Sequence, residues 1–285
     1  TTEIYTLSLH DALPILFTHV SDPVVQARVF IWAPIAWALI GYVLSGWRNL
    51  RKAEGDGSDC LKFAAILSIV MTLVCLIQPA TPPKGGEGVT KALSMLSNPN
   101  FAVLIFVSLA VAGMMQFYFL GTARFLSDIG ASGKNVPAIM GIAQAAQAVA
   151  TFFALGYLLD KNVLGPKWTI VVGATCWLIL YAVYSLKMPK AVIVVSQVFH
   201  GLAYVFFIIG GQIYVSMLAP TEIVGSAQSL IMLATNGVGL FLGTQLAGIV
   251  MDRGCVMGKF NWSKIFMVPA IITLVGVLAM ALFMK

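Results

Sequence analysis

Charge is the scarcest ingredient of this sequence. Of 285 residues, 17 are Lys or Arg and 11 are Asp or Glu, so 10% of the chain is charged while 59% is hydrophobic. A water-soluble domain carries about 25% charged residues, and so few cannot cover a globule of this length. The scarcity is also uneven. No Asp, Glu, Lys or Arg occurs from Asn100 to Ala123, from Asn135 to Leu159, from Ala191 to Thr221 or from Ile223 to Met251. Each run exceeds the roughly 20 residues that a helix needs to cross the hydrocarbon core, so the chain reads as an integral membrane protein.

Other shortages exclude further classes. The four cysteines, Cys60, Cys75, Cys176 and Cys255, form no C-x-x-C pair, and two lie inside apolar runs. They read as small packing residues, with no disulfide framework or metal site. No carboxylate lies centrally in an apolar run, and His200 is the one strongly buried titratable group. A membrane-embedded enzyme needs paired acids, paired histidines or a Ser/His couple, so no catalytic residue, cofactor or metal is expected. The net charge of +6 comes from basic residues in short connections. That pattern anchors loops at headgroups, and it offers no Lys/Arg stripe to nucleic acid.

What is present is a series of eight apolar spans: Val29 to Trp47, Phe63 to Pro79, Phe101 to Ala123, Pro137 to Leu159, Trp168 to Leu186, Ala191 to Met217, Gly225 to Met251 and Ile265 to Met284. Their continuous apolarity lacks the period-two alternation of a barrel, which leaves an all-α bundle of about eight transmembrane helices. The polar break 80–100, ATPPKGGEGVTKALSMLSNPN, separates two spans from six and reads as an interdomain linker with an amphipathic turn near Leu93 to Leu96. The expected organisation is therefore 16–79, two helices of one half; 80–100, linker; and 101–285, a six-helix half. The first fifteen residues, TTEIYTLSLHDALPI, resemble a translated sequencing adapter and lack a signal peptide's basic start and apolar centre. On that reading 1–15 is an artefact, native sequence begins near Leu16, and Glu3, His10 and Asp11 carry no chemistry.

A repeat lies within the six spans. Gly156-Tyr-Leu-Leu-Asp160-Lys161 recurs as Gly248-Ile-Val-Met-Asp252-Arg253, each at the end of the second helix of a triplet. Three helices separate the copies, so the second triplet must run upside down relative to the first, an arrangement typical of transporters. Each Asp-basic pair also reads as an ordinary solvated helix end. Extended to Gly165 and Lys167, the segment GYLLDKNVLGPK resembles the loop motif of the major facilitator superfamily. That resemblance makes Gly156, Asp160, Lys161, Gly165 and Lys167 a conformational gate, with the Asp pairing across a helix gap that opens and closes during alternating access.

Polar side chains inside the spans are few: Gln116, Tyr118, Gln144, Gln147, Gln197, His200, Tyr204, Gln212, Gln228, Asn236 and Gln245. Gln197, His200 and Tyr204 share a helical face through their i, i+3, i+7 spacing, as do Gln144 and Gln147. Any one glutamine can serve simply as an interhelical hydrogen-bonding residue. Together, uncharged donors and acceptors with aromatics suit a neutral, polar, ring-bearing solute better than an ion. His200 stays open between a buried packing residue, a solute contact and a proton carrier.

A closer resemblance rests on MMQFYFLGTARFL (Met114 to Leu126), GIAQAAQAV (Gly141 to Val149), FHGLAYVFFIIGGQIYV (Phe199 to Val215) and SAQSLIMLATNGVGLFLGTQLAG (Ser226 to Gly248). These look like the seventh, eighth, tenth and eleventh helices of the nucleoside:proton symporter family, a branch of the same superfamily. RVFIWAPIAW, Arg28 to Trp37, is similar to its fifth helix. The resemblance puts the family's base- and sugar-binding glutamines on Gln116 and Gln144, and its solute-facing aromatic pair on His200 and Tyr204, with imidazole replacing a phenol at the first. It also shows departures. Phe119 stands for the family's Asn, Gln147 for its Glu and Val205 for its Asp. Its fifth-helix Arg falls on Phe30 when Trp32 fixes the register, leaving Arg28 about 200° around the helix.

The resemblance thus implies a secondary transporter in a bacterial inner membrane, a small neutral polar solute such as a nucleoside, and a proton as coupling ion. The departures weaken the last two, and a sensor or scaffold that kept the fold without transport is the alternative. Family topology puts the gate loop and linker in the cytoplasm. That leaves 6 of the 17 basic residues inside (Arg28, Lys84, Lys91, Lys161, Lys167, Lys285) and 11 outside, against the positive-inside rule. With two helices on one side of the linker and six on the other, the expectation is that the 285-residue chain alone does not transport.

Overall fold

The computed structural model describes residues 22–52, 57–76 and 88–285. The adapter-like segment 1–15 and linker residues 80–87 lie outside the described residues. Helix α1 spans Arg28–Arg51, α4 Pro99–Asp128, α5 Val136–Leu159, α6 Gly165–Ser185, α7 Lys190–Leu218, α8 Val224–Gly254 and α9 Trp262–Phe283. These seven are long and apolar enough to cross a membrane. Between α1 and α4 come α2, Ser58–Cys75, and the short α3, Gly88–Ser94. The architecture is an all-α, multi-pass membrane bundle; seven of the eight apolar spans coincide with these seven helices, and the described part of the remaining one, 63–76, lies in α2 and its C-cap, which is not among the seven. Boundaries differ by five residues at the end of α4, Asp128 rather than Ala123, and at the start of α2, Ser58 rather than Phe63. The polar first turn of α2 is helical because Gly57, at φ 89°, starts it and Asp59 is held from α1.

Local chemistry sets the helix starts. Asn98 caps α4, its side-chain oxygen accepting from the backbone N–H of Asn100 at 2.9 Å, and Pro99 follows with its φ already suited to a first turn. Asn261 caps α9 by accepting from Lys264 N–H at 3.3 Å. A short hairpin pairs Cys255–Val256 with Lys259–Phe260 between α8 and α9. Met257 and Gly258, at φ 49° and 75°, make its two-residue turn, the left-handed pair that such a loop requires.

The core lies among α4, α6, α7 and α9, where Trp177, Tyr118, Tyr181, Tyr184, Phe101 and Phe266 are fully buried. Small residues let backbones meet, the usual device where lipid supplies no hydrophobic drive between helices. A β-carbon at Gly201 of α7 would collide with the carbonyl of Ala143 on α5. One at Gly113 of α4 would sit 2.7 Å from the Gly239 carbonyl of α8. Three helices loosen into π turns, at Thr151–Leu155 in α5, Tyr204–Ile209 in α7 and Leu233–Gly239 in α8. By contrast, α2 exposes Leu61, Ile66, Ile69 and Leu73 on a surface that suits lipid.

Candidate functional site

His200 is the centre of an aromatic group drawn from three helices. It lies on α7 with 1% of its surface exposed. The Tyr118 ring of α4 stacks on the imidazole at a centroid distance of 3.6 Å and 10° between planes. Phe119 approaches edge-on at 5.8 Å, and Trp177 of α6 donates its indole N–H to His200 Nδ1 at 3.2 Å. The other nitrogen, Nε2, is buried with no hydrogen-bond partner among the described residues. Phe119 also stacks on Trp37 of α1 at 6.2 Å, tying the group to the first described helix.

Below this group a second set of polar side chains is fully committed to packing. Tyr118 Oη donates to Gln197 Oε1 at 2.8 Å, while the Gln197 amide nitrogen donates to Tyr184 Oη and to the Ile193 carbonyl. Gln197 shares a sequence face with His200, yet every group on its amide is used. Tyr181 Oη donates to the Met114 carbonyl at 2.8 Å, where α4 is interrupted between Gly113 and Met115.

The glutamines divide differently. Gln116 Nε2 donates to Thr244 Oγ1 of α8 at 2.7 Å. Gln144 and Gln147 of α5 are 6% and 4% exposed, and neither side chain has a hydrogen-bond partner among the described residues. The Gly201 contact brings their helix against that of His200, with the Gln147 backbone N–H beside Gly201. Tyr204 and Val205 open the π turn of α7. Val205 is fully buried in an apolar cluster with Leu155, Phe206 and Ile209, against which Tyr204 and Phe30 pack. The two positions where the resemblance expects Arg and Asp, Phe30 and Val205, thus belong to one apolar cluster. The structure brings His200 and Phe119 together beside the helix of Gln144 and Gln147, turns Gln116 toward α8, and sets Val205 in the separate cluster.

The loop after α5 is organised locally. Asp160 accepts from the Asn162 backbone N–H at 2.8 Å and from its side-chain amide at 3.1 Å. Gly165 takes φ 79° and is buried, Gly156 is half-buried, and Lys161 is exposed. Lys167 Nζ lies 4.8 Å from the Trp168 ring. Among the described residues, Asp160 forms no ion pair with a basic side chain.

The charged contact that does join separate helices was missed by sequence reasoning. Arg48, near the end of α1, binds Asp59 of α2 through two hydrogen bonds of 2.6 and 2.8 Å and reaches the Gly133 carbonyl, between α4 and α5, at 3.2 Å. Ser45 Oγ accepts from Ala138 N–H at 3.0 Å in the same region. The Arg48 guanidinium holds the Asp59 carboxyl down to about 2. Trp177 was likewise missed, because an indole in an apolar run gives no sign of the partner that it will meet.

A family model described as Nucleoside H+ symporter matches residues 2–285. Among curated proteins, the chain is 28% identical over 235 residues to the putative nucleoside transporter YegT of Escherichia coli, covering 76% of this chain and 54% of that one. It is 23% identical to the E. coli xanthosine permease, covering 81% and 59%, and 24% identical to the E. coli nucleoside permease NupG, covering 82% and 60%. It therefore spans little more than half the length of these relatives. Among solved structures, a mutant of the nucleoside transporter NupG superposes with a TM-score of 0.74 at 21% identity, covering 90% of this chain and 66% of that one. This likeness shows the major facilitator fold. With its family model matched over nearly the whole length, the chain belongs to the nucleoside H+ symporter family.

Proposed function

We propose that the protein is a secondary transporter of nucleosides in a bacterial inner membrane, a carrier rather than an enzyme. Its solute site comprises His200, Phe119, Gln144, Gln147 and Gln116, with Tyr204 and Val205 shaping the adjoining wall. The observation that carries this reading is His200 Nε2, buried without a hydrogen-bond partner among the described residues, on a helix packed against that of Gln144 and Gln147, which are 6% and 4% exposed and form no side-chain hydrogen bond among the described residues. Leaving a buried donor or acceptor unpaired costs about 1–3 kcal/mol. Such a group beside stacked aromatic rings is stabilised when a solute pairs with it. A nucleoside base offers both a flat face for the rings and edge atoms for the amides, while the sugar hydroxyls suit a glutamine.

The segment Gly156 to Lys167, with Asp160, Lys161 and Gly165, is proposed as the gate. Residues 101–285 form one six-helix half, joined through the linker 80–100 to the two preceding helices. The name of the family and of its permeases supports a nucleoside as solute and a proton as coupling ion.

The test is nucleoside counterflow into vesicles carrying the protein in full length, with and without a proton gradient. Exchange of labelled uridine that falls about tenfold or more in Gln144→Ala supports the reading. Binding without exchange would instead favour the sensor or scaffold.

A further inference from the structure

The arrangement around His200 decides among its three possible roles. An indole nitrogen donates and never accepts. Because Trp177 Nε1–H points at His200 Nδ1 at 3.2 Å, Nδ1 must offer a lone pair, and the ring proton resides on Nε2. That N–H is the one left buried without a partner. We propose that Trp177 fixes His200 as the neutral Nε2–H tautomer, so that His200 donates one hydrogen bond to an acceptor atom on the solute and does not carry the coupling proton. The identity of the acceptor, a carbonyl oxygen or ring nitrogen of a nucleoside base, rests on the function proposed above; the tautomer does not.

Protonation of His200 would place an N–H on Nδ1 facing the N–H of Trp177, exchanging a hydrogen bond for a clash of two donors. Among the described residues, nothing nearby compensates. On α4 the neighbours are Tyr118 and Phe119, and on α6 they are Trp177 with Tyr181 and Tyr184 along the same helix. On α5 they are Gln144 and Gln147, and on α7 itself Gln197 and Tyr204. The titratable members of this set are tyrosines, all neutral near pH 7. No Asp, Glu, Lys or Arg occurs in 99–123, 135–159 or 191–221, and the charged residue of α6, Lys167, lies in its first turn. Stacking on Tyr118 does not discriminate, since an aromatic face accepts a neutral or a cationic ring. The indole N–H does.

Trp177 is therefore a positioning residue and His200 a specificity-determining one. A donor fixed in place favours solutes with an acceptor there and penalises analogues that lack it by roughly tenfold. The donor is also available at every pH at which the tautomer persists, so solute binding at this position is uncoupled from proton binding.

The chain has three histidines, His10, His19 and His200. Nitrogen NMR of the histidine-labelled protein in lipid, with His10→Gln and His19→Gln, reports on His200 alone. The expected result is one bare and one protonated nitrogen from pH 8 down to pH 5, with the protonated Nε2 resonance moving on addition of uridine. In Trp177→Phe, which keeps an aromatic ring without the N–H, the tautomer should no longer be fixed, and a protonated Nδ1 resonance should appear beside that of Nε2. His200→Gln, which retains an amide donor, should keep uridine affinity within about threefold, whereas His200→Phe should lose roughly tenfold. An imidazolium in the parent protein above pH 5, or a proton on Nδ1, overturns the tautomer assignment. Uridine that binds without moving the Nε2 resonance overturns the donor role. The expected tautomer in a protein that binds no nucleoside upholds the Trp177 lock and overturns the nucleoside reading instead.

Discussion

Gln197 and Gln144 are the same residue type on buried helix faces, yet they do opposite work. Gln197 ties Tyr118 of α4 to Tyr184 of α6, so Gln197→Ala should lower unfolding stability by about 1–3 kcal/mol. Gln144 is tied to nothing among the described residues, so Gln144→Ala should leave stability nearly unchanged and weaken nucleoside binding. Thermal unfolding followed by tryptophan fluorescence, paired with a binding isotherm for each variant, separates the two. Gly201 controls the spacing around both. Adding a methyl group there drives it into the Ala143 carbonyl, and Gly201→Ala should cost about 1–3 kcal/mol through overpacking while also reducing affinity. At this scale the sequence announces which polar residues are buried. It does not announce which are spoken for, because the partner stands on another helix at an unrelated position.

Among the elements, the seven membrane-length helices are legible because each stretch of apolar sequence long enough to span a membrane has few alternatives. Their ends are less so: turns on the water side stay helical when a cap or ion pair holds them, as Gly57 and Asp59 do for α2. The π turns are invisible in composition. One begins at Thr151 and another contains Thr235, which donate back to the carbonyls of Gln147 and Ile231, each at 2.8 Å, a bond that competes with the regular ladder. Contacts among α1, α2 and the α4–α5 connection are equally hidden, since Arg48 and Asp59 read as ordinary loop charges. Arg48→Ala should loosen this end of the bundle, detected as longer and broader distances between spin labels at Leu50 and Ser127. Asp59 is held at about 2 in the folded protein, below the ordinary value of ~3.9. Its contribution is fully present above ~3.9 and is lost as pH falls from there toward 2. The label distances should therefore be constant from pH 8 to pH 5.

For the whole molecule, family membership follows from the motifs in α4, α5, α7 and α8, and the departures at Phe30 and Val205 acquire a physical meaning once both are found in one apolar cluster. Family topology places Lys161 on the cytoplasmic side, whereas the distribution of Lys and Arg favours the reverse. Lys161 follows α5 and Arg253 ends α8, three crossings apart. Single cysteines at these positions, in a background with the native cysteines replaced, should label from opposite sides of the membrane, with position 161 reachable from the cytoplasm.

The most direct test of the central claim is photochemical. A 5-iodouridine probe, irradiated with the protein in lipid and mapped by mass spectrometry, should attach to Tyr118, Phe119 or His200, or to the stretch of α5 containing Gln144 and Gln147. Excess uridine should abolish the adducts. Adducts confined to other helices, or labelling of this group that uridine does not compete, would contradict a nucleoside site centred on His200.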